Sequence, residues 1–150
     1  MNKFYITTPL YYVNDEPHIG HAYTTILADV INRYYKSIKY DTFFLTGTDE
    51  HGQKVQEAAK KNNVTPKEHV NKFVKRFQNT WKSLDIQYDD FIRTTEKRHA
   101  DRVQEILSDL FKKGEIYKNE YEGLYSVSEE RFITEKEAEE GDFREIKKLK

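Results

Sequence analysis

The chain has 150 residues, of which 37% are hydrophobic and 34% charged, with eleven Tyr, nine Phe and a net charge of −1. That length and apolar content allow one domain of ordinary size with a packed core, and the balanced charge excludes a protein that grips nucleic acid mainly through a one-sided basic field. Without any cysteine, disulfides and thiolate chemistry are excluded too, and with neither a secretory leader pattern nor a long apolar run the expected location is cytoplasmic.

In chain order, residues 4–8 are rich in β-formers and run into Pro9, predicting a short buried strand and then an irregular loop through Asn14, Asp15 and Pro17. From Gly20 onward Ala22, Ile26, Leu27, Val30, Ile31 and Tyr34 recur at helical spacing. They predict a helix to about Ser37 whose apolar stripe faces a sheet. Residues 42–46 read as a second strand stopped by Gly47, and the order strand, loop, helix, strand favours a parallel α/β sheet.

A short helix through Val55, Ala58 and Ala59 is expected after Gly52, ending at the turn-prone Lys61-Asn62-Asn63. Thr65-Pro66-Lys67-Glu68 then combines a capping box with proline at the first helical position. Its helix is expected to reach about Leu84, burying Val70, Phe73, Val74, Phe77 and Trp81 and turning Lys67, Lys72, Lys75, Arg76 and Lys82 to water. Residues 91–95 predict a third strand, and a helix from about Lys97 carries Val103, Ile106, Leu107, Leu110 and Phe111 as far as Gly114. Beyond Glu115, Ile116-Tyr117, Tyr121-Glu122-Gly123-Leu124-Tyr125 and Arg131-Phe132-Ile133 read as short strands or hairpin pieces, which places a domain boundary near 115. Residues 135–150 are charge-dense with few apolar anchors, so poor order is expected there.

Two segments carry chemistry. His18-Ile19-Gly20-His21 puts two imidazoles near a helix N-terminus, where free N–H groups and the helix dipole favour an anion and where Gly20 lets a base or phosphate approach the backbone. Such donors suit charge growing on an α-phosphate and its leaving pyrophosphate. Two other readings stay open: histidines that merely cap a helix, and a zinc site, which would need a third protein ligand. Gly47-Thr48-Asp49-Glu50-His51-Gly52 follows the second strand, at the end where open parallel sheets bind ligands. A carboxylate there can hold a substrate ammonium, although the block also reads as an Asx turn or helix cap.

Together these segments resemble a known family. Thr7-Thr8-Pro9-Leu10-Tyr11-Tyr12-Val13-Asn14-Asp15-Glu16-Pro17-His18-Ile19-Gly20-His21 resembles the HIGH signature region of the methionyl-tRNA synthetases, class I enzymes, and Phe44-Leu45-Thr46-Gly47-Thr48-Asp49-Glu50-His51-Gly52-Gln53-Lys54 is similar to the block that follows it there. Residues 91–95 and 121–125 fit as well. The resemblance implies an α/β fold: residues 1–115 as the first half of a Rossmann-like, HUP-type parallel-sheet catalytic domain, and 116–150 as the beginning of the inserted connective domain, zinc-knuckle-like but here cysteine-free. It implies a methionine-tRNA ligase that activates L-methionine with Mg-ATP and loads tRNA(Met). By position, His18 and His21 are the catalytic residues that contact ATP phosphates, Gly20 lies against adenine, Asp49 holds the methionine ammonium, and Leu10 and Tyr12 line the pocket for the thioether.

Two departures qualify the resemblance. Ser126 and Glu129 stand where zinc-binding members of the family carry their first cysteines, so no structural zinc is expected. The second signature, KMSKS, does not occur in these residues, so the chain is expected to carry one half of a site. A small adenylyltransferase, which also uses an H-x-G-H motif, is the alternative enzyme, and a non-catalytic module that binds ATP or methionine weakly is the alternative outside enzymes.

Overall fold

The computed structural model describes residues 2–143 and 145–149. Met1, Arg144 and Lys150, the last two within the expected 116–150 segment, lie outside the described residues. The chain divides into two compact units, the first ending at Ile106 and the second beginning at Leu107.

The first unit is built on a parallel sheet. Strand β1 (Lys3–Thr7) and the two-residue β2 (Tyr11–Tyr12) lie along one edge of β3 (Asp41–Asp49), and β4 (Asp90–Arg93) lies along the other. Helix α1 (Ile19–Ser37) makes the crossover from β2 to β3, while α2 (Gln53–Lys61) and α3 (Pro66–Ser83) make the one from β3 to β4. After β4 the chain enters α4 (Lys97–Lys112). The expected parallel α/β sheet is therefore present.

Strand β3 does not stop at Gly47 as expected but continues to Asp49. Glycine here is a close-approach residue, since a Cβ at position 47 would come within 2.0 Å of the Ile92 carbonyl oxygen on β4. Asp49 is consequently the last residue of the strand, its Oδ1 accepts from His51 N–H at 3.4 Å as in an Asx turn, and the helix cap is Gly52.

The capping box of α3 forms as its sequence predicts: Glu68 N–H donates to Thr65 Oγ1 at 3.2 Å and Thr65 N–H to Glu68 Oε2 at 2.9 Å. Val70, Phe73, Val74, Phe77 and Trp81 are buried in one core with Val13, Phe44, Val55 and Phe91. One expected surface cation differs: Arg76 pairs with Glu16 and lies over the Phe73 ring.

Helix α1 largely reverses its expected orientation, although Ala22 of the expected stripe packs against the core. Ile26, Leu27, Val30 and Tyr34 are exposed, whereas Thr25, Ala28, Asp29 and Asn32, a stripe at i, i+3, i+4 and i+7, are buried. Specific partners explain the reversal: Thr25 Oγ1 bonds the Tyr11 hydroxyl at 2.8 Å, and Asp29 accepts from Gln87 N–H at 2.9 Å and from Arg33 at 2.6 Å. On α4, too, Val103, Ile106, Leu107 and Phe111 are exposed.

The second unit is a small antiparallel sheet in the order β6-β5-β7, made of β5 (Gly123–Ser126), β6 (Arg131–Ile133) and β7 (Ile146–Leu149). Between β6 and β7 lies α5 (Glu135–Glu140), closed by a Thr134–Glu137 capping box. Within the stretch expected to be poorly ordered, the cap thus gives a helix its start and the β7 backbone has a partner in β5. Ile116-Tyr117, expected as a short strand or hairpin piece, has no partner strand among the described residues. Ser126 and Glu129 meet in the β5–β6 turn, where Glu129 N–H donates to Ser126 Oγ at 3.2 Å. Among the described residues no helix is long and apolar enough to cross a membrane.

Candidate functional site

The segment from Pro9 to His21 is held from beneath by α3. His69, fully buried and stacked on Phe73, donates from Nε2 to the Val13 carbonyl at 2.9 Å, and the Arg76–Glu16 pair ties down the loop farther along. Along β2 the alternation of strand side chains sends Tyr11 into the core and leaves Tyr12 on the opposite face with Leu10. Leu10, Tyr12, His18 and His21 line one open cleft of about 510 Å³. Asp49 does not line that cleft, but it is the register partner of Tyr12 across the β2–β3 pair.

His18 is the N-cap of α1, and its Nδ1 accepts from Gly20 N–H at 3.1 Å; reciprocally, His21 Nδ1 accepts from His18 N–H at 3.1 Å. This is a capping box made by two imidazoles, whose rings stack with centroids 3.8 Å apart. Because each Nδ1 is an acceptor, each neutral ring carries its proton on Nε2. Two N–H donors therefore stand at the positive end of a 19-residue helix. Gly20 has a local reason as well, since a Cβ there would press to 3.0 Å of the His18 ring.

Burial, and secondarily the neighbouring His18, hold the His21 imidazole below its ordinary value of 6.5. The neutral ring is thus the favoured folded form; its contribution to stability is complete above 6.5 and is lost as the pH falls through the lowered value. In an NMR titration the His21 ring protons are expected to show a midpoint under 6.5, rising in His18→Ala as the second positive charge is removed. A midpoint at or above 6.5 in the unaltered chain would contradict the desolvation of the His21 ring.

At the end of β3, Thr48 and Glu50 share one face and Asp49 faces the other way. The Glu50 side chain is wholly buried and accepts from Thr48 Oγ1 at 2.8 Å, Arg93 Nε at 2.6 Å, Arg93 Nη2 at 3.0 Å and Thr95 Oγ1. Arg93 extends the network to Asn71 Oδ1 on α3 at 2.7 Å. Burial pushes the Glu50 carboxyl up, but the bonds from Arg93, Thr95 and Thr48 outweigh it and leave the group below the ordinary carboxylate value. Sequence reasoning assigned no role to Glu50 or Arg93. The signal that could have found them is the period-2 alternation, which sets Glu50 opposite Asp49.

A second cleft of about 570 Å³ adjoins this network. Its buried carboxylate and guanidinium are already bonded to each other, whereas the donors of the histidine cleft are not used within the described residues, so the smaller cleft is the better candidate site. Among the described residues no group of three or more His, Cys, Asp or Glu is placed to hold a metal ion.

Comparison with known proteins gives a consistent set of matches. The family model described as tRNA synthetases class I (M) matches residues 4–141. The methionine-tRNA ligase of Fusobacterium nucleatum is 58% identical over 133 residues, and that of Listeria monocytogenes 51% over 139; these alignments take in 89% and 93% of this chain but 21% of each relative. The chain thus spans about a fifth of the length of these relatives. Among solved structures, Mycobacterium tuberculosis methionyl-tRNA synthetase in complex with methionyl-adenylate superposes with a TM-score of 0.86 at 42% identity, over 91% of this chain and 27% of that one. The ternary complex of Agrobacterium radiobacter K84 AgnB2 LeuRS with tRNA and LeuAMS, at a TM-score of 0.80 and 20% identity, over 99% of this chain and 20% of that one, shares the fold alone.

Proposed function

We propose, from the premise that this chain belongs to the class I (M) tRNA synthetase family, that it supplies the amino-acid clamp and one phosphate wall of a methionine-tRNA ligase. The family match runs through both the Gly47–Gly52 block and the Tyr121–Tyr125 stretch, neither of which a small adenylyltransferase requires. The parent reaction is in-line attack of the methionine carboxylate on the α-phosphorus of Mg-ATP, forming methionyl-adenylate and releasing pyrophosphate, followed by transfer of the methionyl group to the 3′ end of tRNA(Met). The observation that carries this reading is the imidazole capping box, which locks two Nε2–H donors onto a helix N-terminus beside the Leu10 and Tyr12 surface.

In this reading His18 and His21 donate to phosphate oxygens as charge shifts onto pyrophosphate, acting by electrostatic stabilisation and not as nucleophiles. Gly20 leaves the helix start open to the adenine ring. Asp49, at the tip of the central strand, accepts the substrate ammonium, and Leu10 with Tyr12 receives the thioether side chain. Magnesium arrives with ATP as part of the substrate.

Two measurements test the proposal. Methionine-dependent exchange of pyrophosphate into ATP is run on the chain beside the His18→Ala, His21→Ala double variant; exchange above that control supports a working half-site, and its absence assigns the chemical step to the rest of the parent protein. Calorimetry then compares ligands: Asp49→Ala is expected to weaken methionine binding roughly 10- to 100-fold, as loss of a charge-assisted bond does, with ATP binding little changed. Equal loss of both ligands would refute the clamp assignment.

A further inference from the structure

The Thr94 hydroxyl, one residue beyond β4, is buried and touches three groups near the end of β3. Glu50 N–H lies 2.9 Å from it, His51 Nδ1 3.1 Å and Asp49 Oδ1 3.5 Å. A hydroxyl has one proton and two lone pairs. Glu50 N–H can only donate and the Asp49 carboxylate can only accept, so with the hydroxyl proton given to Asp49 the His51 tautomer that fits is the one protonated on Nδ1, which donates. All three valences of the oxygen are then filled. A second donor, His51 N–H, reaches the same Asp49 oxygen at 3.4 Å.

Both bonds to Asp49 are long, so their value lies in direction more than in strength. They leave Oδ2 with no partner among the described residues, as a group that receives a substrate must. Behind Thr94 the platform is stiff: Thr94 N–H continues the ladder to the Thr48 carbonyl at 3.2 Å, and the Glu50–Arg93–Asn71 network locks β3, β4 and α3 together. A side chain held on such a support keeps its orientation when a ligand arrives.

The geometry points to Thr94 as a positioning residue for the amino-acid clamp: its hydroxyl, braced by the Glu50 amide, aims the Asp49 carboxylate at the substrate ammonium. This inference rests on the reading of Asp49 as that clamp. In this role Thr94 acts through Asp49.

The test compares calorimetric affinities for L-methionine and for 4-(methylthio)butanoate, which keeps the carboxylate and thioether but has no ammonium, in the unaltered chain and in Asp49→Ala, Thr94→Val and Thr94→Ser. Valine keeps the shape and removes the hydroxyl; serine keeps the hydroxyl. The unaltered chain is expected to prefer methionine, and Thr94→Val to lose about 3- to 10-fold of that preference, the equivalent of one hydrogen bond, with the analogue's affinity unchanged. Thr94→Ser is expected to restore it to within about twofold, on the same principle. A merely structural threonine would instead weaken both ligands together, and that result overturns the inference. It is also overturned, by itself, if Asp49→Ala abolishes the preference and Thr94→Val leaves it intact. No preference, or no binding, in the unaltered chain removes the clamp reading and this inference with it.

Discussion

Arg93→Ala is expected to lower the unfolding free energy of the first unit by about 3 kcal/mol, because it leaves a buried carboxylate without its countercharge. The Glu50 side chain is wholly buried and Arg93 is its cationic partner, through two bonds at 2.6 and 3.0 Å. Thr48 and Thr95 still donate to Glu50 in the variant, which places the loss at the lower end for such pairs. In a unit of this size the cost corresponds to a fall in Tm of roughly 12 to 24 °C. The sign of the pH dependence is a further check. The folded-state Glu50 lies below its ordinary value, so the pair stabilises fully above about pH 4.5 and the stabilisation fades as the pH falls through the folded value. The difference between variant and unaltered chain should therefore shrink in acid. Urea unfolding at pH 7 and pH 4 measures it, and a gap that stays constant or widens in acid would mean that Glu50 is not the group left exposed to the loss.

Phe77→Ala is expected to cost about 3 to 5 kcal/mol, the usual range for removing a fully buried aromatic ring. Phe77 sits among Tyr11, His21 and Trp81, with ring centroids at 5.8, 5.3 and 5.9 Å. The ring thus connects the core to the imidazole pair, and the loss carries a second, local signature. Part of what lowers His21 is burial, and opening that wall lets water reach the ring and moves its midpoint up toward the ordinary value. Phe77→Leu, which keeps most of the volume, serves for the NMR titration if the alanine variant is too unstable. A His21 midpoint that does not move when the ring is removed would show that the desolvation of His21 comes from elsewhere.

Local chemistry was the part of this structure most open to sequence reading. The Thr65–Glu68 cap, the stripe from Val70 to Trp81 and the imidazole pair at the head of α1 each depend on residues within a few turns of one another. The same kind of cap at Thr134–Glu137 was equally visible but was outweighed by the charge density around it. Helix α1 misled for a different reason. Periodicity reveals a stripe but not which of two stripes finds partners, and Thr25 and Asp29 are buried because Tyr11 and Gln87 bond them from other segments. Gly47 looked like a strand stop because glycine breaks more strands than it admits, whereas the crowding by Ile92 that demands it belongs to another strand. Thr94 and Glu50 are 44 positions apart in sequence, and no local pattern joins them. The site was therefore legible where one segment makes it and silent where two strands must first meet.

Every hydrogen-bonded pairing in the parallel sheet has β3 as one of its two members. During synthesis β1 leaves the ribosome before β3 and cannot pair with it until residues 41–49 have followed, a few seconds later at ordinary elongation rates. Through that interval Phe4 and Ile6 belong to an unpaired strand, and the helix between them and β3 has no sheet to settle on. The middle strand is thus a late keystone. Its arrival gives β1 and β2 their places at once and offers a fresh edge that stays open until β4 is made, so the pairings of this sheet are non-local ones, of the kind that form slowly.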